Sequence, residues 1–305
     1  MIKVREIFFK YAKENKEALS GINMNILNGE SVALLGFNGS GKSTLLKVML
    51  GILSPREGEI SYDDINISNN RIRIVRDIGV VWGQKSNLWW DVSVKRSLHI
   101  LKKIYKLTDK HFETKINELD SKLEIRKYWD KPLRKLSLGQ RVKCEIAAAT
   151  LHNPSILFFD EPFIGLDFIT RNEIIKLLKE YKQNNRNSIL VLTSHNIKDI
   201  EELCSRVILM ESGLIIWDNS IDNIQKKFYR KTISIKHNNE NLNINSTFNG
   251  INIEKVNIGF TKVILNNIKD NEVMIIKELL ELNDIIDIQL EDTSLEVAIE
   301  EMSRK

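Results

Sequence analysis

The sequence predicts an α/β protein: a largely parallel sheet covered on both faces, followed by a smaller α/β domain. Three runs carry the first part of this reading. They are Ser31-Val32-Ala33-Leu34-Leu35, Ser155-Ile156-Leu157-Phe158-Phe159 and Ser188-Ile189-Leu190-Val191-Leu192-Thr193. Each is apolar at successive rather than alternate positions, as expected of strands buried on both faces. Each ends in glycine or polar residues, at the strand end where open α/β sheets bind ligands. A change of composition carries the second part. Twelve of the 14 glycines lie at or before Gly213 and all 4 prolines at or before Pro162, after which Asn, Ile, Lys and Glu dominate from about Asn219. For 305 residues at about 150 per domain, this places a boundary near 219–230. The expected organisation is a domain over 1–220, a linker helix over 221–230, and a small domain over 231–305.

The first run leads into Gly36-Phe37-Asn38-Gly39-Ser40-Gly41-Lys42-Ser43-Thr44, then a helical stretch over 45–53. This is G-x-x-x-x-G-K-[ST] with a strand before it and a helix after it, the two contexts that make the motif a phosphate loop. Glycines let the backbone close around an anion with successive N–H groups pointing inward, and the helix N-terminus adds partial positive charge. Lys42 is expected at the β- and γ-phosphates and the Ser43 hydroxyl on Mg²⁺. The guanine signature Asn-Lys-x-Asp is absent. The second run ends in Asp160-Glu161-Pro162. Asp160 is placed to hold Mg²⁺, directly or through water, and Glu161 to polarise an attacking water. The third run ends in Ser194-His195. Residues 93–150 show no clear strand and read as mostly helical; within them Ser137 is a good N-cap for a helix over 138–150. In the tail, alternation at Ile233 and Ile235 predicts a strand. Helical spacing predicts a helix over 271–282, then a strand over 285–290 and a closing helix from Thr293-Ser294-Leu295-Glu296.

Composition narrows the class. Lys+Arg 45 against Asp+Glu 41 leaves +4, and no block of five or six basic residues points to nucleic acid. No run reaches the roughly 18 to 20 apolar residues of a membrane span. The charged start Met1-Ile2-Lys3-Val4-Arg5-Glu6 lacks a signal-peptide core. A soluble, cytoplasmic chain is expected. Cys144 and Cys204 have no metal-ligand spacing and read as buried thiols.

Taken in order, these motifs resemble the nucleotide-binding subunits of ABC transporters over about residues 1–220. Gln84, after Ile78-Gly79-Val80-Val81-Trp82-Gly83, looks like the Q-loop. Leu136-Ser137-Leu138-Gly139-Gln140-Arg141 looks like the signature, and Ile164-Gly165-Leu166-Asp167 like the D-loop. His195 stands at the switch histidine. The resemblance implies a P-loop NTPase fold, a RecA-like core with antiparallel β and helical subdomains, the helical one at about 86–150. It implies ATP and Mg²⁺ as cofactors. Gln84 would touch Mg²⁺ or the attacking water, and His195 would contact the γ-phosphate. It also implies a dimer in which Ser137, Gly139, Gln140 and Asp167 of one chain complete the site around Lys42 of the other. Tyr11, 25 residues before Gly36, has the A-loop spacing for adenine, with Phe9 as its rival. Leu138 and Phe163 depart from the usual Gly and Thr.

Residues 83–91 and 138–149 look more particularly like the ATP-binding subunits of ABC-2 type exporters of the sodium- or drug-export-like branch. That implies separate transmembrane permease chains, a peripheral position on the inner face of the cell membrane, and Trp89 and Trp90 as candidate permease contacts. ABC-2 ATPases often carry a small α/β domain like 231–305. The alternative is a soluble ABC-type regulatory ATPase without a membrane partner.

Overall fold

The computed structural model describes residues 1–83, 85–194, 196–227, 230–238, 251–257, 260–266, 277 and 285–292. Gln84, His195 and the helices expected over 271–282 and from Thr293 lie outside the described residues, apart from Lys277. The chain divides into two units, Met1–Ser220 and Ile221–Lys305.

The first unit opens with β1 (Ile2–Phe9) and β2 (Leu19–Ile26), antiparallel to each other. Ile2, Val4, Ile7 and Phe9 are buried, with a register shift between Val4 and Ile7 that restores the inward face. Then come β3 (Ser31–Leu35), buried throughout, and α1 (Lys42–Met49). The sequence places this helix over 45–53; it begins earlier, at the end of the glycine loop, and is stopped by Gly51 at φ 63°. β4 (Glu57–Tyr62) and β5 (Ile65–Asn66) complete a four-stranded antiparallel sheet in the order β2-β1-β4-β5. α2 (Ile67–Val75) leads to β6 (Ile78–Trp82).

Three helices follow: α3 (Val94–Ile104), α4 (Asp109–Leu123) and α5 (Leu138–Thr150). Each starts at a hydroxyl cap, Ser93, Thr108 and Ser137, whose oxygen accepts a backbone N–H of the first turn. Leu98, Phe112, Ile116, Leu119 and Leu123 are buried. The chain then alternates through β7 (Ile156–Asp160), α6 (Phe168–Asn184), β8 (Ile189–Thr193) and α7 (Ile197–Leu203), and closes on β9 (Arg206–Glu211) and β10 (Leu214–Ser220).

The main sheet runs β10-β9-β3-β8-β7-β6, parallel except for β10. Its register sets the site. Leu34 pairs with Thr193, Thr193 with Asp160, and Asp160 with Trp82. Four strands therefore end in one row, and the loops that leave them are neighbours.

The second unit starts with α8 (Ile221–Lys227), followed by β11 (Arg230–His237), β12 (Ile251–Asn257), β13 (Phe260–Asn266) and β14 (Ile285–Asp292). They form an antiparallel sheet in the order β12-β13-β11-β14. The helix expected to reach residue 230 ends at Lys227, because Arg230 already pairs with Asn266 in the sheet. Ile233 and Ile235 are fully buried, as their alternation predicts.

Candidate functional site

β3 delivers the chain into the phosphate loop at the middle of the sheet. Gly36 adopts φ 145°, and a Cβ there would lie 2.2 Å from the Met210 carbonyl oxygen and 2.5 Å from Ser40 Oγ. Gly41, at φ 106°, would bring a Cβ to 2.7 Å from the Ala18 carbonyl oxygen. Only glycine fits either position. The loop turns directly into α1, so Lys42 is the first residue of that helix. Its Nζ folds back to donate to the Gly36 oxygen at 2.6 Å and the Phe37 oxygen at 3.2 Å. Burial pulls its pKa below the ordinary lysine value, while the charges of Glu161 and Asp160 oppose that shift.

The acids stand beside it at the end of β7. Asp160 Oδ1 accepts the Thr193 hydroxyl at 2.8 Å and the Ser43 hydroxyl at 3.3 Å. Glu161 leaves the strand at φ 52°. Its N–H donates to the Thr193 carbonyl oxygen at 3.1 Å and to Thr193 Oγ1 at 2.9 Å. One hydroxyl thus accepts from the Glu161 backbone and donates to Asp160, fixing both acids. Gly83 N donates to the Asp160 carbonyl oxygen at 2.7 Å. Thr193 was not singled out in the sequence. Its signal was its place as the last residue of a buried run, one position before Ser194-His195.

Lys42, Ser43, Gly83, Asp160 and Glu161 line a cleft of about 660 Å³ that also takes in Tyr11, Asn38, Gly39 and Thr44. Lys16, Lys47 and Lys85 line it too, and no motif in the sequence marks them. A triphosphate fits this lining. Glycine-held backbone wraps the loop, Ser40 Oγ is buried with no hydrogen-bond partner among the described residues, and Lys42 has only backbone oxygens as acceptors in the loop. Tyr11 donates to or accepts from Thr44 Oγ1 at 3.1 Å. Phe9 packs edge-on against Tyr11 at 4.9 Å and is buried in the core, so Tyr11, not Phe9, faces the cleft.

The signature residues lie elsewhere on the chain. Ser137 caps α5 in a reciprocal box: its Oγ accepts from Gln140 N at 3.3 Å, and its N–H donates to Gln140 Oε1 at 3.2 Å. Asp167 caps α6, accepting from Thr170 N at 2.9 Å and Thr170 Oγ1 at 2.8 Å. Those bonds hold its carboxyl below the usual range. The two helix starts adjoin. A Cβ at Gly139 would sit 3.2 Å from the Thr170 side chain, and one at Gly165 2.9 Å from Leu138 Cδ2. Leu138, at the place of the usual glycine, therefore packs onto the D-loop, and Phe163 is buried. None of Ser137, Gly139, Gln140 or Asp167 lines the cleft around Lys42. Within one chain, the phosphate loop and the signature form separate surfaces.

A family model described as ABC transporter matches residues 19–164. The energy-coupling factor transporter ATP-binding protein EcfA2 of Clostridium tetani (strain Massachusetts / E88) is 32% identical over 225 residues, covering 71% of this chain and 78% of that protein. The chain belongs to the ABC transporter ATP-binding family. It is the ATPase subunit of a transporter, with the P-loop NTPase fold. The ABC transporter ATP-binding protein NatA of Bacillus subtilis (strain 168) is 28% identical over 216 residues, 71% of this chain and 87% of that one. Among solved structures, the dimeric post-hydrolysis ATP-binding cassette MJ0796, bound to ADP and Pi, is 27% identical. It superposes with a TM-score of 0.65 over 72% of this chain and 99% of its own. ATP binding thus comes to the chain with its family. Among the described residues, no helix is long and apolar enough to cross a membrane.

Proposed function

We propose that this ABC ATPase is the motor of an exporter and works as an ATP-sandwich dimer on separate permease chains. The observation that carries the dimer is the separation just described: Lys42, Ser43, Asp160 and Glu161 share one cleft, and the capped helix start at Ser137 does not line it. A second copy, or a sister ATPase, would bring its Ser137, Gly139 and Gln140 to the open side of that cleft, with its Asp167 beside them.

Ser43 and Asp160, held 3.3 Å apart, would hold Mg²⁺ together with Gln84; the metal would neutralise developing phosphate charge. Lys42 binds the phosphates, and the Gly36, Asn38, Gly39, Ser40, Gly41 and Thr44 backbone wraps them. Glu161 takes the proton of the attacking water, help typically worth about 10² to 10⁴-fold. His195 contacts the γ-phosphate, and Tyr11 packs against adenine. ATP binding closes the dimer and hydrolysis reopens it.

Closure reaches the permease through a groove of about 260 Å³ lined by Leu50, Ile52, Val80, Leu101 and Tyr105. Trp89 and Trp90 are 40% and 51% exposed, available to the same partner. The exporter assignment and the ABC-2 permease rest on residues 83–91 and 138–149. The relatives named as energy-coupling factor ATPases favour a second reading, in which the permease is of that type. The unit over 231–305 supports the dimer or regulates it.

The test is the solution mass of Glu161→Gln by light scattering. A shift from monomer to dimer on adding Mg-ATP is expected. A monomer in both conditions, with ATP bound, would refute self-assembly into a sandwich. Co-purification of this chain with an ABC-2 or an energy-coupling factor permease separates the two transport readings.

A further inference from the structure

Glu145 is an anomaly that the ATP site does not use. It lies in α5, two turns beyond Ser137, and is only 3% exposed. Among the described residues it makes no ion pair. Its partners belong to the segment that leaves the Q-loop. Oε1 accepts the Ser86 hydroxyl and Oε2 accepts the Asn87 backbone N–H at 2.9 Å. Ser86 Oγ in turn accepts from Leu88 N at 3.0 Å, and the Asn87 side chain donates to the Val80 oxygen of β6. Burial pushes the carboxyl above its usual range, opposed by these donors and by the charge of Arg141. A buried carboxylate without a cation persists only where its hydrogen bonds are complete.

The other end of the same segment is also anchored, by Gly83 N on the Asp160 oxygen at 2.7 Å. Gly83 and Ser86 are thus two fixed points. One is tied to the strand end that carries the acids, the other to the signature helix. From Ser137 to Glu145 is about 12 Å of continuous α-helix at 1.5 Å per residue, long enough to move as one lever.

We propose that Glu145 is a positioning residue that clamps residues 86–88 to α5, so that the exit of the Q-loop at Ser86 and the Ser137 cap move as one body. This rests on the reading that Ser137 serves a second copy's ATP. Closure of the dimer against Ser137 then pulls on the Q-loop exit, and a displacement of the Q-loop reorients the signature. A carboxylate accepts from both donors at once, with the Leu88 oxygen at 2.8 Å as a second acceptor for the Ser86 hydroxyl. A glutamine would turn an N–H toward one of them.

The test uses the full chain with Glu145→Ala, Glu145→Gln, Ser86→Ala and the Ser86→Ala/Glu145→Ala double variant. Melting temperature, affinity for a fluorescent ATP analogue, and kcat and KM for ATP hydrolysis are measured in each. Glu145→Ala is expected to keep analogue affinity and KM within about threefold while kcat falls about ten- to hundredfold, the cost of small misplacement. Glu145→Gln should recover part of that loss. The double variant should be no slower than Glu145→Ala, since both changes open one clamp. Hydrogen exchange gives an independent readout. Mg-ATP should protect peptides over 83–90 and 137–141 together in the parent, and should no longer protect them together in Glu145→Ala. Unchanged kcat in a folded Glu145→Ala, or joint protection that survives the change, would overturn the clamp. So would a loss that tracks melting temperature and affinity. Failure of the sandwich reading shows separately, as a parent whose 137–141 peptide gains no protection with Mg-ATP.

Discussion

His152 makes the stability of this ATPase fall in mild acid by an amount that can be worked out. Its ring stacks on Tyr105 at 3.7 Å with planes 3° apart, and Nε2 lies 3.2 Å from the Ile78 carbonyl oxygen. The neutral ring donates there. Nδ1 is buried with no partner among the described residues, so a proton taken up at Nδ1 would point at nothing. Burial accordingly lowers the pKa from 6.5 to about 4, against the smaller opposing effects of the Ile78 carbonyl and Asp77. Between those values the unfolded chain holds the proton and the folded chain does not, so stability is lost as pH falls from 6.5 towards 4. The full effect is about 3 kcal/mol, of which about 2 kcal/mol is gone by about pH 5. Urea unfolding of the parent and of His152→Gln, at about pH 7.5 and about pH 5, isolates it, because other titrating groups are common to both proteins. The loss of the Tyr105 stack in the variant is present at both pH values and cancels. The parent should lose about 2 kcal/mol more than the variant between the two conditions. Equal losses in both proteins would refute the reasoning.

Three further outcomes follow from the proposed ATP site. Gly36→Ala should lower stability by about 1–3 kcal/mol and weaken nucleotide binding, since the left-handed backbone and the Met210 oxygen both exclude a Cβ; thermal melting and titration with a fluorescent ATP analogue check this. Thr193→Val removes the hydroxyl shared by Asp160 and Glu161 and should cost about 1–2 kcal/mol in urea unfolding. Steady-state hydrolysis should show its effect in kcat more than in KM. Tyr11→Phe gives up only the contact with Thr44 and should bind ATP within about twofold of the parent, whereas Tyr11→Ala should weaken it about five- to tenfold through the lost ring. Equal affinity in Tyr11→Ala and the parent would remove Tyr11 from the adenine site.

Much of the site was legible because its chemistry is local in the chain. Gly36 to Thr44 is one uninterrupted loop and helix start, so spacing alone announces a phosphate cradle. Asp160 and Glu161 adjoin at the end of a buried run, and Ser137 caps the helix that begins at the next residue. The fold class was legible for the same reason, since a strand covered on both faces shows it in consecutive apolar residues. The start of β11 at Arg230 was not, because pairing with Asn266 decided it from 36 residues away.

What only the tertiary structure decided is what depends on pairing between distant segments. The register of β7 against β8 places Thr193 beside Asp160 and makes one hydroxyl serve both acids. Packing of β1 turns Phe9 into the core and leaves Tyr11 at the cleft. Burial of α5 carries Glu145 to Ser86 and Asn87, 59 and 58 residues away in sequence. The sequence alone determined which groups are candidates to bind phosphate and how they are spaced along the chain, since that pattern sits in continuous backbone. The tertiary structure determined which side chains support them, since hydrogen bonds between strands and helices depend on register, and register is set by burial of whole elements.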